Sequence, residues 1–458
     1  MADLKAFSSG LKPRLSTDTK IVGSEETPAR WDDVCAPAPS VIVYPRTEED
    51  VAETVKYCRE QGLKCLAESG GHSWSIKNSG DVKVLISLRE LNTVTVAEDL
   101  QSVTLQGGTL IGELIAAAAA KKVDVTTGVC NGVGALGSLL HGGIGRYIGS
   151  HGLGIDNLLS VNLVDATGKL HKNVTESTHA ELWWALCGAG TSLGIVTQAT
   201  IKAHPQLNDG MSWAGVMFFV GDSKLEKLLK LVNETKLETN MGLQFLFVCP
   251  PPLNFQPSIL VAPWYYGPEE EAKKTWKPLL DLEPDVIQMD MLPPEKLNDF
   301  QEPFCDKSGR KPGLGMGLET FDIDAYKEIW NLYVKFVTEN PEAGRSVVLA
   351  EAYPKAKAMS RPREATLFAN RDIRFECVCV PWYENASFDI KANAFSASVR
   401  EIWLQKCGHP DGRKRVYPAF AGVNEPLEHL YGEPERLEKL RAIKAKWDPE
   451  NHWSALGV

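Results

Sequence analysis

Two short stretches carry residue types from which chemistry can be built. "ESGGHSWS", residues 68–75, sets His72 directly behind Gly70 and Gly71. Paired glycines let a backbone approach a phosphate closely, with amide N–H groups as the donors. An imidazole at the end of such a turn is either a nucleophile or a turn residue bonded to nearby backbone. The second stretch, "TTGVCNGVGALGSLLHGGIGRYIGSHGLGIDN", puts Cys130 at the head of a glycine-dense run. Gly132, Gly134 and Gly137 satisfy GxGxxG, and Asp156 follows about twenty residues later, as a dinucleotide fingerprint asks. That fingerprint also needs its third glycine to open a long helix. Only "SLLH" intervenes before "GGIG" breaks the backbone again, so the fingerprint fails. The run instead suits a backbone wrapped around a large flat or phosphorylated ligand. A thiol within it is either reactive or, like most free cysteines, small, buried and inert.

The elements around these stretches can be read from pattern. After a polar leader, "SVIVYPRTEEDVAETVKYCREQGLKCLAES" predicts strand, helix, strand, and the second strand delivers the glycine–glycine–histidine turn. Thr47 suits the helix cap, Glu48, Glu49 and Asp50 suit its positive end, and Gly62 suits its stop. Strands are expected at "KVLISL", "SVTLQGG", "LSVNLVDATG" and "GIVTQATIKAHP", with a helix at "TLIGELIAAAAAKK". Beyond residue 206 the texture changes. Two long helical patterns, "SKLEKLLKLVNETKLETN" and "DIDAYKEIWNLYVKFVTEN", alternate with "LQFLFVC", "ILVAPWYY", "SVVLAEAY" and "FECVCVPW". This predicts an antiparallel sheet with helices on one face, an α+β arrangement. "LEPDVIQMDMLPPEKLNDFQEPFCDKSGRKPGLGMG" reads as loop, a lid over a pocket. Three segments result: 1–206, 207–408 and 409–458.

Composition excludes several classes. A net charge of −10 over 458 residues, without a basic block, argues against a nucleic-acid partner. No apolar run approaches the roughly 20 residues that span a bilayer. The first twenty residues lack an apolar signal core, which favours a cytoplasmic product. The ten cysteines form no CxxC pair, so neither a structural zinc site nor a disulfide framework is expected.

Taken together, five ordered stretches resemble one family. They are residues 44–75, the glycine-dense run, "LSVNLVDATGK", "ELWWALCGAGTSLGIVTQATIKAHP" and the terminal "KWDPENHW". The family is the FAD-linked oxidases of the berberine bridge enzyme-like group, within the vanillyl-alcohol oxidase or PCMH-type flavoproteins. The resemblance covers most of residues 35–205 and 410–458, and the middle matches only loosely. It implies a two-subdomain FAD-binding domain built from the first and last segments, with a substrate domain between them. It assigns His72 a covalent bond to the flavin 8α carbon and Cys130 a thioether to C6. The chemistry is sound: 8α is electrophilic in the quinone-methide tautomer, so a neutral imidazole nitrogen can add there. Two such bonds would raise the reduction potential of the ring and hold it beside an open cleft.

The same resemblance sets Ser69, Gly70, Gly71 and Ser73 on the pyrophosphate. Gly134, Gly137, Ser138, His141, Gly142 and Gly145 would follow the dinucleotide and ring, with His141 equally readable as a structural donor. Gly194 and Val196 would face the adenine side, and Tyr417, Asn451 and Trp453 would reach back from the tail. Many relatives carry arginine where this chain has Glu68 or Ala67, which leaves the phosphate charge to backbone amides. No metal is implied.

Oxidases of this group take a hydride from a substrate carbon onto flavin N5 and return both electrons to O₂ as H₂O₂. The substrate would be a small, secondary-metabolite-like alcohol, amine or activated C–H compound. The usual base is a tyrosine in an "N-Y" pair, which here becomes Ala419-Phe420, and phenylalanine takes no proton. Glu351, Tyr353 and Glu376 lie in strand-like segments whose alternation could turn a replacement base inward. Each can equally be a satisfied polar residue. Trp264, Tyr265, Tyr266 and Trp382 would suit a planar substrate, or simply form sheet core. Two other readings stand beside the oxidase: a flavin-bearing cyclase with little net redox change, and a redox-dead binding protein.

Overall fold

The computed structural model describes residues 4–76, 79–409, 411–453 and 457. The opening unit forms as its sequence predicts, with strand Val41–Tyr44, helix Glu48–Glu60 and strand Lys64–Glu68. Thr47 and Asp50 make a capping box at the helix start, satisfying two orphan N–H groups reciprocally. Asp50 also accepts from the Ser16 and Thr19 hydroxyls at 2.7 and 2.8 Å, which ties the N-terminal leader to this helix. Thr47→Ala is expected to cost about 1 kcal/mol, read as an earlier midpoint in chemical denaturation.

These strands enter a four-stranded sheet in the order Lys20–Gly23, Val41–Tyr44, Val82–Ser87, Lys64–Glu68. Its last three strands run parallel. A five-stranded antiparallel sheet follows, ordered Val94–Val96, Ser102–Gln106, Ile195–Lys202, Leu158–Val164, Leu170–Val174. The short helices of the glycine-dense run, including Ala135–Leu140, share their apolar core with helix Ala180–Ala189.

The middle of the chain forms a seven-stranded antiparallel sheet, so the expected α+β arrangement is what folds. Its order is Val286–Leu292, Ser212–Val220, Ser258–Tyr265, Met241–Val248, Val347–Ala352, Phe375–Val380, Leu314–Leu318. Alternation along each strand sorts side chains into two layers. Phe245, Phe247, Val348, Ala350, Cys377 and Cys379 pack beneath helices Leu225–Glu234, Ile323–Glu339 and Asp389–Lys406. Leu246, Val248, Val347, Val378 and Val380 form the opposite face, joined by Trp31 from the leader.

The stretch read as one long loop is corrected. It contains both edge strands of this sheet, Val286–Leu292 and Leu314–Leu318. Exposed charged and polar positions on Val286–Leu292 masked its strand character, and edges tolerate charge because one side faces water. Between the two edges, residues 293–306 make short turns that strap the other face of the sheet.

Beyond residue 409 the chain returns to the first segment. Val416, Tyr417, Leu430, Tyr431, Leu440 and Ile443 share one apolar core with Leu139, Leu182 and Trp183. The buried Lys444 donates to the Ser192 carbonyl at 2.6 Å and to Asp448 at 2.7 Å. Among the described residues no helix is long and apolar enough to cross a membrane.

Candidate active site

The Lys64–Glu68 strand ends in the turn that carries His72. Gly71 has φ of +70°, a left-handed conformation that favours glycine. A Cβ on Gly70 would lie 2.5 Å from the Gly132 carbonyl oxygen and the Gly134 nitrogen. The two motifs found in sequence therefore pack backbone against backbone and require small residues there. Together they wall a cavity of about 400 Å³.

His72 lines this cavity, and its Nε2 is buried without a hydrogen-bond partner. The Trp31 ring stacks against it, with centroids 6.1 Å apart. Burial, with help from the Lys307, Lys311 and Arg30 charges, pulls the imidazole down to about 3, so it is neutral at physiological pH. Ser69 Oγ is also buried and unpaired. Unpartnered polar atoms of this kind are costly unless something meets them.

Most residues expected at the cofactor stand on the same wall. Ser69, Gly70, Gly71, Ser73, Cys130, Gly134, Gly137, Ser138, His141, Gly194, Val196, Tyr417 and Trp453 all line the cavity. His141 Nε2 lies 3.1 Å from the Thr191 hydroxyl. Three expected residues do not reach it. Gly142 packs on the Phe368 ring and Gly145 on the Thr127 carbonyl, so both serve close packing behind the wall. Asn451 is exposed and turned outward, at the end of a turn whose N–H bonds Asp448. Cys130, which also lines the cavity, is bonded in this structure to Cys305, 175 residues away, with Cα atoms 6.5 Å apart. Sequence spacing gave no hint of this pair, because the strap over the sheet brings Cys305 to the glycine-dense run.

The sheet supplies the opposite wall. Gln244, Glu351 and Glu376 are register partners across three adjacent strands, a polar row on an apolar face. Of the three candidate bases, only Glu351 lines the cavity. Gln244 donates its side-chain amide to Glu351 at 2.6 Å, and burial raises the pKa of this carboxyl. Glu376 lies 3.4 Å from Lys355, and burial pushes its pKa up to about 7 despite that cation. Tyr353 is buried beside Trp264 at a ring distance of 5.5 Å. Both stand behind the wall rather than on it. Of the four aromatics, Trp382 reaches the cavity, and Trp264 and Tyr266 are core.

Two contributions escaped the sequence reading. Arg30 and Trp31, in the leader passed over as polar, line the cavity. Arg30 forms a buried ion pair with Glu68 and donates to the Ser73 carbonyl at 3.0 Å. A guanidinium from earlier in the chain therefore neutralises the acidic residue that stands where arginine was expected. "ARW" within a polar stretch was the available signal. The strap adds Gln301, Phe304 and Cys305.

An FAD binding domain family matches residues 39–173. The chain is 30% identical over 439 residues to the FAD-linked oxidoreductase hasG of Aspergillus fumigatus, covering 92% of this chain and 91% of that protein. It belongs to the FAD-linked oxidoreductases. The fold of this FAD-linked oxidoreductase is that of the PCMH-type, berberine bridge enzyme-like proteins. It superposes on Physcomitrella patens BBE-like 1 with a TM-score of 0.83 at 20% identity, over 99% of this chain and 98% of that one. The xylooligosaccharide oxidase of Myceliophthora thermophila C1, solved with xylobiose, gives 0.81 at 21% identity, covering 98% of both chains. The residues present fit FAD: an unpaired neutral imidazole, an unpaired serine hydroxyl, and a glycine cradle that any Cβ would fill.

Proposed function

We propose that this FAD-linked oxidoreductase is an oxidase of a small organic substrate, with its flavin held covalently by His72. When bound, FAD supplies a two-electron acceptor that takes a hydride from a substrate carbon and passes the pair to O₂, giving H₂O₂. The observation that carries the reading is the buried, neutral and unpartnered His72 facing a cavity whose far wall holds Glu351. Such an imidazole has its lone pair free for bond formation. Bonding of Cys130 to flavin requires that its disulfide to Cys305 be open; with the disulfide closed, attachment runs through His72 alone.

The residues divide the remaining work. Arg30 sets a cation beside the phosphate-type turn, and Ser69 and the glycine amides supply donors. Arg30→Gln leaves Glu68 buried and unpaired, a loss of about 3–5 kcal/mol for a broken buried pair. A lower melting temperature and lower flavin content are the expected results, both recovered in part by the swap Arg30→Glu with Glu68→Arg. Glu351 takes the hydroxyl or amine proton of the substrate, with Gln244 fixing one carboxyl oxygen. Trp74 and Phe420, whose rings stack 6.1 Å apart, exclude water from that side.

Phe420, packed edge-on to Tyr417 at 5.2 Å, favours a second reading in which the bound flavin shapes a cyclase pocket without net redox change. Anaerobic mixing with candidate substrates separates the two. Bleaching of the yellow band supports the oxidase, and turnover without bleaching supports the cyclase. Phe420→Tyr should raise alcohol oxidation only where a base is missing, so no gain would remove the missing tyrosine as an explanation.

A further inference from the structure

Glu376 stands behind the wall that Glu351 forms, and the proposed proton transfer leaves it unused. The two residues are register partners on neighbouring antiparallel strands. Such partners project from one face with Cβ atoms about 5 Å apart, which brings their carboxyl groups together. Both are nearly sealed from water, Glu351 at 5% and Glu376 at 1% exposed. Glu351 accepts from Gln244 and lies against the Tyr353 hydroxyl. Glu376 has fewer partners: Oε1 lies 3.4 Å from Lys355 Nζ, and Oε2 is buried with none. The Lys355 ammonium also stands 5.7 Å over the Tyr353 ring. Arg146 faces the pair from the Glu351 side and Asp372 from the Glu376 side, while Tyr417 of the tail faces both. Asp372 is itself paired with Arg415 at 2.7 Å.

Two carboxylates buried side by side repel, and the one ammonium beside them offsets a single charge. The pair therefore draws in a proton, which also removes the cost of an unpartnered ionised oxygen. A base gains from this arrangement, because the proton it removes from substrate relieves the repulsion. We infer that Glu376 is the positioning residue for that proton: it shares with Glu351 the one taken from the substrate, and Lys355 is their counter-charge. The O–H bond formed on Glu351 breaks as one forms on Glu376 Oε2. No electrons move with the proton, which stays in store for the H₂O₂ that closes the cycle. This rests on Glu351 being the base of the proposed function.

The test follows the protonated-carboxyl stretch of flavin-loaded enzyme by infrared difference spectroscopy across a pH titration, with no substrate present. Wild type should show a buried carboxyl losing its proton near neutral pH. Because the proton belongs to the pair, Glu351→Gln should move that step down by about one pH unit although Glu376 is intact. Lys355→Met should move it up, since a stabilising cation has gone. With a compound that bleaches the wild-type flavin anaerobically, the pH at which bleaching accelerates should fall by a similar amount in Glu376→Gln. A step unmoved in Glu351→Gln, or not raised in Lys355→Met, overturns the inference, as does a wild-type enzyme with no such step. A bleaching profile unmoved in Glu376→Gln overturns it too, and marks Glu376 as a structural partner of Lys355. Equal bleaching rates in wild type and Glu351→Gln would instead remove the base, and with it the reading beneath.

Discussion

His72→Ala enzyme is expected to lose its covalent flavin at that position completely. In wild-type enzyme, acid-denatured protein should retain yellow colour, and the peptide containing His72 should carry the added mass of the flavin. In the variant that peptide should have its unmodified mass, and any cofactor should pass through a filter after denaturation. The variant should also turn over more slowly. A bond to the ring raises its potential, and each ~30 mV lost shifts a two-electron equilibrium about tenfold. Retained adduct mass on the His72 peptide's neighbours, with none on His72 itself in wild type, would place the tether elsewhere.

Glu351→Gln should have the second large effect. The amide keeps the shape and can still accept the hydrogen bond from Gln244, so the fold is spared while the proton acceptor is lost. A positioned base contributes about 10²–10⁴-fold, and kcat should fall by that order with a smaller change in KM. The pH profile carries the sharper signature. A base works deprotonated, and burial moves the Glu351 pKa above the ordinary carboxylate range. Wild-type kcat/KM should therefore climb with pH through that raised value, and the glutamine variant should show no such limb. A limb unchanged in Glu351→Gln would assign it to another group.

How much of this was legible in the sequence depended on whether a residue's partner lay nearby in the chain. Thr47 and Asp50 sit three apart and announced their cap. Val347–Ala352 and Phe375–Val380 announced themselves by β-branched, apolar content. His72 stood out because glycine next to it could mean only close approach. Arg30 left only the faint signal of "ARW" and Cys305 none, since their significance lies in Glu68 and Cys130, partners 38 and 175 residues distant. Asn451 misled for the reverse reason: it follows a family-like motif, but a local turn directs it to solvent. Glu351 and Glu376 could not be ranked from alternation, which puts both on one face. Only the depth of the cavity across that face distinguishes them.

The wall contributed by Trp453 has a bearing on how the enzyme is made. One boundary of the cofactor chamber is synthesised first and another some four hundred residues later, and Lys444 locks the late piece to Ser192 only after both exist. A nascent chain on the ribosome thus has an open-sided chamber throughout elongation. Capture of the cofactor belongs after residue 453 has emerged, and a premature stop shortly before it would yield a colourless product even with His72 in place.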